Sequence, residues 1–177
     1  MFKGNKIRLR AYRADDVKRV FELYGEEEIR DTATMAINFP ISYEGRKSFV
    51  DKKLVQTNEL FTFAIDLLET DEYIGSCAIN KLDGKNSIAT IGIWIGKKYQ
   101  GCGLGSEALR ILCNFIFEEM NIHKIKLHYI EFNEAGKRCY EAVGFKEEGI
   151  NRKELYRHGI YYDTVNMGLF KEEYRKK

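Results

Sequence analysis

The sequence has 177 residues, 44% of them hydrophobic and 32% charged, and carries a formal net charge of +2. That is the length of one domain, 1–177, with a sizeable core, and the composition excludes a disordered or fibrous chain. Charge so near balance argues neither for nor against nucleic acid, and no such partner is expected; the charged tail from Lys171 to Lys177 reads as a solvated end.

Cys77, Cys102, Cys113 and Cys139 form no C-x-x-C pair and have no metal-ligand spacing with His123, His128 or His158. Free thiols in a reducing cytoplasm, and no metal, are the expectation. The first residues, Met1 to Asn5, lack an apolar signal core, and no run reaches membrane-spanning length. A cytoplasmic protein with no membrane partner is expected, as monomer or homo-oligomer.

Ile7 to Tyr12 alternates as a strand. Asp15 or Asp16 then caps a helix carrying Val17, Val20, Phe21 and Tyr24, stopped by Gly25. Glu26-Glu27-Glu28 reads as the solvated first turn of another helix, with an acidic lip for a cationic substrate as the other reading. Ile29 to Pro40 is irregular, and Ser42 opens a helix through Phe49, Val50 and Leu54. Phe61 to Leu67, Tyr73 to Ile79 and Ser87 to Ile95 follow as an antiparallel meander, the last two joined by the turn Asp83-Gly84-Lys85-Asn86.

Tyr99-Gln100-Gly101-Cys102-Gly103-Leu104-Gly105-Ser106-Glu107 lies between the last of these strands and a helix whose apolar face is Ala108, Leu109, Ile111, Leu112, Phe115 and Ile116. Glycines at alternate positions can turn successive amides toward one point, and a helix start adds its dipole. The result is an anion site suited to phosphate. No Lys-Ser/Thr pair follows, which excludes the Walker pattern. Gly103 to Ala108 fits the dinucleotide pattern G-x-G-x-x-A, with Glu131 about twenty residues on. Two features oppose that reading. The polar segment from Gly96 to Gln100 separates strand from glycines, and only 46 residues follow Glu131.

Ile125 to Ile130 then alternates, predicting a βαβ unit with this strand parallel to Ile88–Ile95. Asn133 caps a helix through Val143, ended by Gly144; Phe145 starts a strand, and His158-Gly159 turns the chain into Tyr161–Leu169. The sum is an α/β (α+β) fold, a mixed sheet with helices on its faces. On the Asn133 helix, seven residues make nearly two turns, so Tyr140 shares a face with Asn133.

Together these stretches resemble the GNAT acetyltransferase superfamily. Gln100-Gly101-Cys102-Gly103-Leu104-Gly105 matches its Q/R-x-x-G-x-G/A coenzyme A motif at every fixed position. Asn133, Ala135-Gly136 and Tyr140 to Phe145 look like its N-x-x-A-x-x-x-Y-x-x-x-G-F segment. Arg152 and the ending Gly159 to Met167 further resemble the branch of ribosomal-protein N-terminal and bacterial spermidine acetyltransferases.

The resemblance implies a mostly antiparallel sheet of about seven strands and acetyl-CoA as co-substrate. Its pyrophosphate would sit on the amides of Gln100, Gly101, Cys102, Gly103, Leu104, Gly105 and Ser106. The pantetheine arm would pair with Ile93, Trp94 and Ile95, freed by a bulge at Gly92 or Gly96, and would bond Asn133. An amine would attack the thioester, with backbone N–H near Ile95 holding the oxyanion and Tyr140 protonating the leaving thiolate.

Many relatives place a glutamate base where this chain has Thr90; Glu131, Asp163, Glu154 and His158 are the candidates left. The missing glutamate favours an α-amino acceptor, whose pKa of about 7.7–8.0 leaves it partly neutral at pH 7. A protein N-terminus is therefore the first reading, with a polyamine or aminoglycoside-like amine as the alternative. A coenzyme A-binding regulatory module without turnover is the reading of another class. The acceptor cleft is expected between Glu26–Phe39 and Lys153–Tyr162.

Overall fold

The computed structural model describes residues 2–55 and 61–174, so the end of the basic tail lies outside the described residues. Alternation in Ile7–Arg10 (β1) buries Ile7 and Leu9 and leaves Arg8 and Arg10 on the other side. Three helices follow, Asp16–Tyr24 (α1), Glu27–Ala33 (α2) and Tyr43–Leu54 (α3). Strands Phe61–Leu67 (β2), Tyr73–Asp83 (β3) and Ile88–Ile95 (β4) complete the meander. A 3-10 turn at Lys97–Tyr99 leads to the long helix Leu104–Glu119 (α4). Then come Lys124–Ile130 (β5), Glu134–Val143 (α5), Lys146–Arg157 (β6), Ile160–Phe170 (β7) and a last turn, Lys171–Tyr174 (α6).

The seven strands form one sheet in the order β1-β2-β3-β4-β5-β7-β6, and only β4 and β5 are parallel. Alternate residues of β4 face opposite layers. The Trp94 ring meets Tyr24 of α1 edge-on at 5.1 Å, whereas Ile95 lies beside Gly105 of α4. Helices therefore cover both faces. On the α4 side, Leu109, Leu112 and Ile116 are fully buried against the sheet, as their spacing predicts.

The first helix starts differently from its sequence signal. Asp15 occupies the capping position without a side-chain hydrogen bond. Asp16 instead accepts from the Arg13 amide at 2.8 Å and from Arg10. Arg10 also reaches Asp66 Oδ2 through Nε at 2.5 Å, so this guanidinium ties α1 to β1 and β2. Ser42 and Asn133 cap as expected, accepting from the amides of Gly45 and Gly136. His158 and Gly159 both have positive φ, 51° and 79°, the requirement of a two-residue turn that follows the strand twist of β6 and β7.

Pairing between β4 and β5 runs only from Ile88↔Lys124 to Thr90↔Lys126, after which the two strands diverge. On its other edge β4 stays paired with β3 up to Ile95, and the Gly96 amide donates to Ile74 O. Alternation along the antiparallel ladder then turns the N–H and C=O of Ile93 and Ile95 toward the gap, while those of Trp94 face Ser76 on β3. The expected bulge at Gly92 or Gly96 is absent from β4. The register shifts instead on β3, between Ile79 and Lys81. The extra residue there, Asn80, needs the space at Gly92, where an added Cβ would lie 2.7 Å from Asn80 Nδ2.

Candidate functional site

The gap between β4 and β5 opens into a cavity of about 300 Å³. One end is the glycine loop. Gly101 and Gly103 have φ of 77° and 79°, a conformation costly to residues with a Cβ, and space around both is open. Gly103 immediately precedes α4, so the unpaired amides of that helix start face the same region. Gly105 has a different task. It is helical, and an added Cβ would lie 3.1 Å from Cys139 Sγ, so it allows α4 and α5 to pack closely.

Gln100, Gly101, Gly103, Gly105 and Ser106 line the cavity, with Ile93, Trp94 and Ile95 along its β4 wall. Gln100 Nε2 donates to Ile95 O at 2.9 Å and fastens loop to strand. Two residues of the expected set do not line it. Leu104 is buried in the core, because the first turn of α4 must anchor its apolar face. Cys102 is exposed, its thiol directed to Gln100 O at 3.6 Å.

The opposite wall belongs to α5. Asn133 and Tyr140 both line it, as two helical turns require. Tyr140 is buried beside Tyr129 and Phe145 at ring separations of 5.9 and 6.3 Å. No group among the described residues hydrogen-bonds its hydroxyl, and burial pushes the pKa of that group well above the ordinary phenol value. Arg138 is the one charged side chain lining the cavity among the described residues. The sequence reading missed it, since an exposed arginine on a helix has no periodic signature.

At the far end, Ile29, Thr32 and Ala33 of α2 close the cavity, from within the Glu26–Phe39 stretch expected there. Its partner stretch does meet it. Arg157 donates to the carbonyls of Arg30, Asp31, Thr34 and Ala36, and His158 Nε2 lies 3.0 Å from Asp31 Oδ2. The acidic run is largely occupied by Lys97: Glu26 accepts its amide at 3.1 Å and Glu28 its ammonium at 2.5 Å.

None of the four candidate bases lines this cavity. The Asp163 amide donates to Glu131 Oε1, and the Lys153 amide to Asp163 Oδ1. Glu154 borders a second cavity with His128 and Met35, and hydrogen bonds from Thr164 and Asn151 lower its pKa. His158 is taken by Asp31. Among the described residues, no carboxylate or imidazole faces the main cavity.

Residues 6–146 match the family model described as Acetyltransferase (GNAT) domain. The chain belongs to the GNAT acetyltransferase family. It is an acetyl-CoA-dependent N-acetyltransferase, with acetyl-CoA as co-substrate. It is 28% identical over 170 residues, 95% of this chain and 93% of that protein, to the Bacillus subtilis (strain 168) protein named "Putative ribosomal N-acetyltransferase YdaF". To the spermidine N(1)-acetyltransferase of Escherichia coli (strain K12) it is 24% identical over 178 residues, 98% of this chain and 91% of that one. Its fold matches the spermidine N-acetyltransferase of Vibrio cholerae, crystallised with CoA and spermine, at a TM-score of 0.84 and 23% identity, covering 97% and 99% of the two chains. Relatives in this GNAT family thus carry both ribosomal-protein and spermidine names, and membership fixes the reaction class without the acceptor.

Among the described residues, no helix is long and apolar enough to cross a membrane.

Proposed function

We propose that this chain is a cytoplasmic enzyme that acetylates the α-amino group of a protein N-terminus. The observation that carries the reading is the absence, among the described residues, of any carboxylate or imidazole facing the cavity. A lysine-like amine of pKa about 10.4 costs about 4–5 kcal/mol to neutralise at pH 7, and a site with no facing base gives little help. An α-amino group at about 7.7–8.0 is partly neutral already.

The residues present fit acetyl-CoA. Gly101, Gly103 and the start of α4 offer amides to a pyrophosphate, and exposed Arg138 offers a charge to the same anionic part. The edge groups of Ile93 and Ile95 suit an extended pantetheine arm laid beside β4 as an added strand. Asn133 Oδ1 is engaged with the Gly136 amide, which leaves its Nδ2 as a donor toward the cavity.

Acetyl-CoA supplies an activated thioester; the chain supplies placement, an oxyanion donor and a proton. Holding amine and thioester together is worth on the order of 7–11 kcal/mol. The Ile95 N–H, turned into the gap, is placed to meet a developing oxyanion. Tyr140, protonated at neutral pH, gives its proton to the departing thiolate, and the proton that the nitrogen sheds on becoming an amide returns to the phenolate.

The test is thiol release from acetyl-CoA with peptides bearing a free α-amine, the same peptides blocked at that amine, polyamines and aminoglycosides. Turnover with free peptides only, and mass increase at the first residue, is the expected result. Faster turnover with spermidine than with any peptide would overturn it.

A further inference from the structure

Among the described residues, four charged ones are buried to 6% exposure or less: Asp16, Asp66, Arg157 and Arg46. Three are matched. Asp16 and Asp66 share Arg10, and Arg157 donates to four backbone carbonyls. Arg46, on the first turn of α3, has neither an acid within ion-pair distance nor a hydrogen-bond acceptor among the described residues. Its guanidinium lies 4.4 Å from the centre of the Tyr24 ring and 5.6 Å from that of Phe49. Cation–π contacts offset only part of what a buried charge loses on leaving water.

Burial is the main reason that the Arg46 pKa is lowered; Tyr24, Tyr73 and Tyr12 oppose that shift, and Arg30 of α2 adds to it. Arg30 is itself short of partners, with a buried Nε that meets no acceptor. A buried guanidinium with no acid beside it, and a second arginine charge acting on it, leaves a place for an anion.

The position suits an acceptor. Tyr24, on which Arg46 stacks, meets Trp94 edge-on at 5.1 Å, and Trp94 lines the cavity. Arg30 follows Ile29, which closes the cavity at the end away from the glycine loop. The arginines thus stand behind the wall that the amine must approach. Guanidinium groups bind carboxylates through paired N–H donors, which an aromatic stack leaves free at the edge.

We propose that Arg46, with Arg30, receives a carboxylate borne by the acceptor close to its reacting amine. For the protein N-terminus proposed above, on which this form of the inference rests, that is an Asp or Glu side chain just behind the first residue. A polycation would meet repulsion there.

The experiment uses the full chain and two peptides that differ only by Glu or Gln at the second position. Free glutamate and its diamide serve as small acceptors bearing and lacking carboxylates. The Glu peptide is expected to exceed the Gln peptide at least tenfold in kcat/KM, through KM. Arg46→Met should erase that preference without changing acetyl-CoA affinity, and Arg46→Lys should restore part of it. If Arg46→Met fails to fold by circular dichroism, Arg30→Met must reduce the preference instead. Equal turnover of both peptides overturns the inference and leaves the α-amino reading standing. Turnover of free glutamate alone, dependent on Arg46, does the reverse. A preference for Glu that survives both substitutions removes the arginines from the account.

Discussion

Gln100 Nε2 and Ile95 O are 2.9 Å apart, so the side chain that begins the glycine loop is spent on the last residue of β4. The bond fixes the distance between an anion cradle and a strand edge that must serve two parts of one ligand. A hydrogen bond of this kind contributes about 0.5–1.5 kcal/mol net. Gln100→Ala is therefore expected to weaken acetyl-CoA binding roughly 3- to 10-fold by calorimetry, with kcat at saturation little changed.

Why the loop was readable from sequence, and other parts were not, follows from where each constraint lies. Gly101 and Gly103 are required by their own φ, and Asn133 and Tyr140 by spacing on one helix, so the signal is local. The role of Gly105 depends on Cys139, 34 positions later, and could be seen only once α4 and α5 were packed. The bulge at Asn80 likewise belongs to β3, although its consequence is felt at Gly92 on β4. The helix Glu27–Ala33 begins at the acidic turn the sequence suggests, but its single buried residue, Ile29, leaves no periodicity to show that it continues to Ala33. Strand β6 is exposed along most of its length, so pairing with β7 specifies it rather than alternation. Nothing in the sequence around Arg46 distinguishes it, and only its burial marks it.

Tyr140→Phe separates chemistry from binding. Burial holds the Tyr140 hydroxyl protonated beyond its ordinary pKa of about 10, the state a general acid needs. Loss of that proton source is expected to lower kcat about 100-fold, while acetyl-CoA affinity stays within about twofold. A large loss of affinity would make the ring a packing element only.

The same shift sets a pH profile. A raised pKa extends the protonated range of the acid upward, so Tyr140 produces no fall in kcat as pH rises to about 10. The rate should climb as the acceptor amine deprotonates and then level off. A descending limb centred near pH 10 that vanishes in Tyr140→Phe would show the hydroxyl titrating normally.

Arg138 lines the cavity but is exposed, and solvent screens what it can contribute. Arg138→Ala is expected to weaken acetyl-CoA about 2- to 5-fold at low salt, in keeping with roughly 0.2–1 kcal/mol for exposed pairs. The difference from the unmodified chain should shrink on adding salt. A deficit that is constant from low to high ionic strength would assign Arg138 a packing role.

Asp66 tests the scaffold instead of the site. It is fully buried and receives Arg10 Nε at 2.5 Å and Arg8 Nη2 at 3.1 Å. Arg10 keeps Asp16 when Asp66 is lost, and Arg8 keeps Asp71 at 2.8 Å, so neither arginine is wholly abandoned. Removing one partner of a buried pair costs about 3–5 kcal/mol, and the surviving pairs place Asp66→Ala at the lower end. The urea midpoint should fall with the slope unchanged. Because α1 carries Tyr24 and is tied to the sheet through Arg10, acceptor KM should rise in folded Asp66→Ala more than acetyl-CoA KM does. Equal effects on both would mean that Arg10 supports the whole sheet and not the acceptor side.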